Sequence, residues 1–161
     1  METMRLKTIF STGKPALSFE VYPPKTPAGY EAMYASIDRL MVFKPGFFSC
    51  TYGAGGSTQG PTLDICSEIM RRHGVPVMAH LTCVGASREE VDAVARHYWE
   101  SGIRHIVALR GDPPGGVGTK FVPHPEGYRN AADLVRGIRE LGDFEISVSA
   151  YPERHPESVS I

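Results

Sequence analysis

The chain has 161 residues, 42% of them hydrophobic, which is enough for a single domain around one core. Its 17 basic and 18 acidic side chains nearly cancel and the basic ones are scattered, whereas a nucleic-acid binder or a polybasic membrane-surface protein would cluster them. Cys50, Cys66 and Cys83 form no C-x-x-C pair, which argues against a disulfide framework or a zinc knuckle and points to a reducing, cytoplasmic setting.

Residues 1–15 read as a lead-in with no apolar signal core, and no run approaches the roughly 18 apolar residues of a membrane span. A first β-rich run, "ALSFEV" (16–21), ends at Pro23 and Pro24. Tyr30, Met33, Ile37, Leu40 and Met41 then recur at helical spacing. The second run, "GFFSCTY" (46–52), leads through a glycine-rich loop to a helix carrying Cys66, Ile69 and Met70 behind Pro61. After the third run, "VPVMAHLT" (75–82), Ser87 and Glu90 form a capping box. Val91, Val94, Ala95 and Tyr98 make the apolar stripe of that helix, and Gly102 stops it. The fourth run, "RHIVALR" (104–110), ends in "GDPP". A helix capped near Asn130 carries Leu134, Ile138 and Leu141 to Gly142, and "EISVSAY" (145–151) is the fifth run.

This is a βα repeat, and it predicts parallel strands joined by right-handed crossovers. Glu20, Thr51, His80, Arg110 and Tyr151 stand at the C-terminal ends of the five runs, the first four about thirty residues apart. Strand C-termini of parallel α/β folds share one face, where ligands bind, so these residues are expected to converge. Two architectures fit. One is an open five-stranded doubly wound sheet. The other is a (β/α)₈ TIM barrel, of which the chain covers about the first five strands. The absence of a closing helix after the fifth run favours the barrel.

Glu20 lies among Phe19, Val21 and Tyr22, and a desolvated carboxyl with a raised pKa suits a general acid; a structural ion pair is the alternative. Arg110 and Asp112 stand two apart on a turn stiffened by Pro113 and Pro114, a pairing that suits a polar or anionic ligand better than a bare surface ion pair. "RGD" is also an adhesion tripeptide, which would need an exported protein. His80 and Cys83 have no matching carboxylate or histidine pair, so no metal site is expected. "TYGAGGSTQG" (51–60) suits close backbone approach to a ligand but matches neither the dinucleotide nor the P-loop pattern. Alone, His155 reads as a loop histidine, and Tyr98 and Trp99 as packing residues.

Five segments, "SFEVYPPK", "TYGAGGST", "AHLTC", "GIRHIVALRGDPP" and "AYPERHPES", stand in the order and spacing of the bacterial methylenetetrahydrofolate reductases, and the chain resembles that family from about residue 16 to 158. The resemblance implies a FAD-containing (β/α)₈ barrel that passes a hydride from NADH or NADPH through the flavin to 5,10-methylenetetrahydrofolate, giving 5-methyltetrahydrofolate for one-carbon metabolism and methionine biosynthesis. It implies that Glu20 is the general acid for folate and that Asp112 lies near flavin and folate. Flavin contacts carried over by motif are Thr51, Tyr52, Ala54, His80, Arg110, Gly111, Asp112, Ala131, Tyr151, His155 and Ser158; Thr51 is also matched to the nicotinamide. The family's last three βα units are absent from the chain. The alternative expectation is therefore a truncated half-barrel that holds flavin weakly, or that needs a partner chain or a second copy of itself and has no turnover alone.

Overall fold

A computed structural model of the chain describes residues 5–53, 59–113, 115 and 119–153. Each β-rich run becomes a strand: β1 (Ser18–Val21), β2 (Phe47–Cys50), β3 (Val77–Thr82), β4 (His105–Leu109) and β5 (Glu145–Val148). Every neighbouring pair is parallel, and the spatial order is the chain order, β1-β2-β3-β4-β5. Between them run α2 (Pro27–Leu40), α3 (Gln59–His73), α4 (Arg88–Glu100) and α5 (Ala131–Leu141), preceded by a short α1 (Leu6–Phe10).

The order decides between the two expected architectures. A doubly wound sheet reverses direction at a switch point, whereas a barrel adds each strand on the same side of the last. No reversal occurs here. The doubly wound alternative is thus corrected: the five units form a sector of a (β/α)₈ barrel. Several strands are shorter than the sequence runs, because a strand ends where its neighbour's ladder ends. β1 and β2 pair only from Ser18↔Phe47 to Val21↔Cys50, just before the two prolines.

Alternate strand residues build the layer under the helices. Phe48 and Cys50 of β2, Ala79 and Leu81 of β3, and Ile106 and Ala108 of β4 are all at most 1% exposed. They pack with Ile37, Ile65, Ile69, Val94, Tyr98, Leu134 and Ile138 of the helices. Each such aliphatic or aromatic side chain contributes about 1.5–3 kcal/mol on burial. The helices begin where the sequence indicates. Ser87 and Glu90 close a reciprocal capping box, Thr26 Oγ1 accepts the Gly29 N–H at 3.1 Å, and Asn130 Oδ1 accepts the Asp133 N–H at 2.9 Å. Such caps stabilise by about 1 kcal/mol each.

Helix α1 was not foreseen in the lead-in, since five residues carry no readable period. It covers the sheet face opposite the long helices, where Leu6 packs with Phe47 and Met78. Its first amide, Leu6 N–H, donates to His105 Nε2 at 3.0 Å, and Arg5 pairs with Asp143 at 2.8 Å. The His105 ring is 1% exposed, with Nδ1 3.3 Å from the Val77 carbonyl. Burial pulls its pKa below the ordinary value, against the opposing charge of Glu145. Glu145 Oε2 stands 2.8 Å from the same Nε2.

Gly137 shows packing overruling helix propensity. It sits inside α5, where alanine is normally favoured over glycine by about 1 kcal/mol. A Cβ at Gly137, however, would overlap the hydroxyl and ring of Tyr128. That tyrosine is 2% exposed and donates to Asp92 Oδ1 at 2.6 Å. Gly137→Ala is therefore expected to destabilise by about 2–3 kcal/mol in denaturant unfolding, through overpacking and a broken buried hydrogen bond. A gain of the size that propensity predicts would contradict this packing.

Candidate active site

The C-terminal ends of β2 to β5, with the start of α5, enclose a cavity of about 720 Å³. Thr51 and Tyr52 follow β2, and His80 is the fourth residue of β3. Arg110, Gly111 and Asp112 follow β4, Ala131 opens α5, and Tyr151 follows β5; all of these line the cavity. Residues separated by about a hundred positions meet here because each parallel strand delivers its end to the same face. Ala54, His155 and Ser158 lie outside the described residues. Tyr52 is 7% exposed and its ring belongs to the core, so its main chain is what it offers the cavity.

Each wall is held from behind. The Thr51 N–H donates to the Val21 carbonyl at 2.9 Å, and the Thr51 carbonyl accepts from the buried Thr62 hydroxyl at 3.1 Å. The Arg110 guanidinium lies 4.5 Å over the ring of Phe121, and the Cys83 thiol donates to the Arg110 carbonyl at 3.5 Å. Gly111, at φ +84°, runs against Val84 and Thr82. The rigidity of this turn, expected from the two prolines, thus owes much to the loop after β3. Asp112 is exposed at the rim. Asn130 caps α5, and Asp133, 6% exposed, accepts from Arg88, Arg129 and Arg136. Hydrogen bonds from Arg129 hold the Asp133 carboxyl at about 2. This network anchors the turn that carries Ala131.

Glu20 differs from its expectation. Its side chain is 57% exposed, so the desolvated carboxyl anticipated from Phe19, Val21 and Tyr22 is not found. The reason is alternation: Phe19 and Val21 turn toward the helices, while Glu20 stands on the opposite face of β1, which is an edge strand here. The carboxyl is nonetheless held. Its Oε2 accepts from Ser49 Oγ at 2.9 Å and lies 3.3 Å from His80 Nε2. Burial lowers the pKa of His80, opposed by the charge of Glu20. The ring is therefore neutral near pH 7, with its Nε2 beside the carboxyl.

Sequence reasoning missed Thr82, Leu109, Asn130, Ala132 and Ser149, which also line the cavity. Three of them carried a readable signal, because Thr82 and Ser149 stand two residues from His80 and Tyr151, and Asn130 was already assigned as a cap. The Cys83 thiol is buried and pushed up to about 11 by desolvation, so it stays protonated and is a poor metal ligand near neutral pH.

A family model described as methylenetetrahydrofolate reductase matches residues 5–161. The chain is 50% identical over 148 residues to the 5,10-methylenetetrahydrofolate reductase of Pectobacterium carotovorum subsp. carotovorum, a match covering 92% of this chain and 47% of the relative. It is 48% identical over 148 residues to the Salmonella typhimurium protein of the same name, covering 92% and 48%. It is 42% identical over 157 residues to methylenetetrahydrofolate reductase (NADH) 1 of Arabidopsis thaliana, covering 96% and 26%. The chain thus spans about half the length, or less, of the curated relatives it matches. Among solved structures, 2,3-dimethylmalate lyase, a PEP mutase/isocitrate lyase superfamily member, aligns with a TM-score of 0.55 at 11% identity. That match covers 89% of this chain and 50% of the lyase chain, and it supports the fold alone.

Proposed function

Because the chain belongs to the methylenetetrahydrofolate reductase family, we propose that it contributes this barrel sector to a FAD-dependent oxidoreductase reducing 5,10-methylenetetrahydrofolate to 5-methyltetrahydrofolate with NADH or NADPH. The observation that carries this reading is the convergence of Thr51, His80, Arg110, Gly111, Asp112 and Ala131 on one cavity, with the Glu20 carboxyl 3.3 Å from His80 Nε2. The donor set fits a flavin. A cavity of about 720 Å³ is within the usual range for cofactor sites, and its rim mixes neutral hydrogen-bonding groups with one guanidinium and one carboxylate. Gly111 offers its main chain to the cavity wall, its missing side chain leaving room for Val84 and Thr82 behind it.

When bound, the flavin supplies the hydride chemistry, taking a hydride from the nicotinamide and giving it to folate in turn. The chain's residues orient and protonate. Thr51 and the neutral His80 would hydrogen-bond the cofactor, Arg110 and the Gly111 amide would hold its polar groups, and Asp112 at the rim would meet substrate. Glu20 in its acid form gives its proton to a folate ring nitrogen. The carboxyl O–H breaks, an N–H forms, and the adjacent C–N bond opens to leave the carbon cation that accepts hydride. Cytoplasmic operation belongs to the same reading; no helix among the described residues is long and apolar enough to cross a membrane.

A second reading has its own observation. β1 and β5 are both edges of the sheet, and Val42, Phe43 and Val148 are more than half exposed. On this reading the 161-residue chain holds flavin weakly, or associates with a partner chain or a second copy. The visible spectrum of the purified, desalted chain separates the two. A resolved flavin band near one equivalent, bleached by NADH and restored by methylenetetrahydrofolate, is the expected outcome of the first. Colourless protein with an apparent mass well above 17.6 kDa would favour the second.

A further inference from the structure

Ser49 is out of character in its strand. It is the one hydroxyl among Phe47, Phe48 and Cys50, where β2 otherwise has apolar side chains. It is paired directly with Glu20 across the β1–β2 ladder, so both side chains leave the same face of the sheet. At such a pair the Cβ atoms are about 5 Å apart, and a one-torsion hydroxyl reaches the carboxyl with little loss of rotamer freedom. Its bond to Glu20 Oε2 measures 2.9 Å.

The geometry also distinguishes the two carboxyl oxygens. A protonated carboxyl has one carbonyl oxygen and one hydroxyl oxygen. Oε2 receives Ser49 O–H and faces His80 Nε2, so it is the carbonyl oxygen and the acidic proton belongs on Oε1. When that proton leaves, the Ser49 donor already points at an oxygen that shares the negative charge, and a hydrogen bond to a charged group is about twice as strong as one to a neutral group. Without Ser49 a side chain that is 57% exposed on an edge strand would keep, among the described residues, only its 3.3 Å contact with His80.

We propose that Ser49 is a positioning residue for the folate half-reaction: its hydroxyl fixes the rotamer of Glu20, assigns the transferable proton to Oε1 and stabilises the carboxylate left behind. This rests on Glu20 being the acid. Ser49 neither gains nor loses a proton in the step, and the hydride half-reaction from nicotinamide to flavin does not involve it.

The test uses Ser49→Ala, Ser49→Thr, Glu20→Gln and the double variant E20Q/S49A, with the two half-reactions of the flavin-loaded protein followed separately under anaerobic conditions. In Ser49→Ala, flavin oxidation by methylenetetrahydrofolate should slow by roughly 10- to 100-fold, the loss expected for one hydrogen bond to a charged group. Flavin reduction by NADH should stay within about twofold, and Ser49→Thr should recover most of the lost rate. In the Glu20→Gln background the serine substitution should cost nothing further, because Ser49 acts only through the acid. A second readout needs no flavin. The infrared carbonyl band of protonated Glu20, identified by its absence in Glu20→Gln, should move to higher frequency in Ser49→Ala as it loses a donor. If Ser49→Ala does not fold, Ser49→Cys, near-isosteric and a weak donor, should give the same pattern. An unchanged folate rate and an unshifted band beside an inactive Glu20→Gln would overturn the role of Ser49 and leave the acid standing. A Glu20→Gln variant that still reduces folate would instead remove the acid, and the Ser49 proposal with it. Additive slowing in the double variant would make Ser49 a packing residue and overturn the proposal.

Discussion

Glu20→Gln should leave flavin reduction by NADH within about twofold of the parent while slowing folate reduction by at least about a hundredfold. The substitution is nearly isosteric. Its amide oxygen can still accept from Ser49 in the place of Oε2, beside His80, so the site keeps its shape. What is lost is the acidic proton, and without it the folate nitrogen cannot be protonated by this side chain. The exposure of Glu20 makes the prediction sharper. A carboxyl 57% exposed on an edge strand contributes little to folding, so a catalytic defect in Glu20→Gln cannot be attributed to collapse of the core. Anaerobic stopped-flow absorbance of the two half-reactions decides it. Equal slowing of both would mean that Glu20 organises the site without serving as its acid.

The second large effect is expected at Gly111. This residue holds φ +84°, and a Cβ there would come 2.5 Å from Val84 Cγ1 and 2.9 Å from Val84 Cβ. Alanine therefore meets two penalties: a backbone region that L side chains rarely adopt, about 1–3 kcal/mol, and overpacking of similar size. Gly111→Ala should destabilise by roughly 2–5 kcal/mol. It should also weaken flavin binding more than tenfold, since relief can come only by moving the turn that carries Arg110 and Asp112. Thermal unfolding and flavin titration measure the two parts. Parent-like flavin affinity in a destabilised protein would show that the turn moves without disturbing the site.

Most of the architecture was legible because it repeats. Strand and helix alternate at a fixed interval, and the caps at Ser87 and Asn130 are written in residue types that side-chain hydrogen bonding demands. The convergence of Thr51, His80, Arg110 and Tyr151 followed from the single rule that parallel strands deliver their ends to one face. What could not be read were facts of packing between distant segments. The environment of Glu20 was misjudged because its sequence neighbours are apolar, although they occupy the other face of the strand. Ser49 gave no signal, since a lone serine in a strand acquires meaning only when the ladder sets it opposite Glu20. Thr82 and Leu109 were passed over because a single polar residue was marked near the end of each run, His80 in the third. Helix α1 was invisible because its stability lies in contacts with β2 to β5 rather than in any local pattern.

Those contacts have a consequence for the order of assembly. Arg5 is joined to Asp143, and the Lys7 amide to Glu145, each 138 positions apart in the chain, and Leu6 reaches His105, 99 positions away. Each βα unit closes over short chain distances, but the polar ties of the first helix cannot all form until nearly the whole described chain exists, although Leu6 can pack earlier on Phe47 and Met78. On a ribosome the amino terminus emerges first and is fastened last. The strands can zip together in sequence, and the final seating of α1 beneath them then marks the completion of five units.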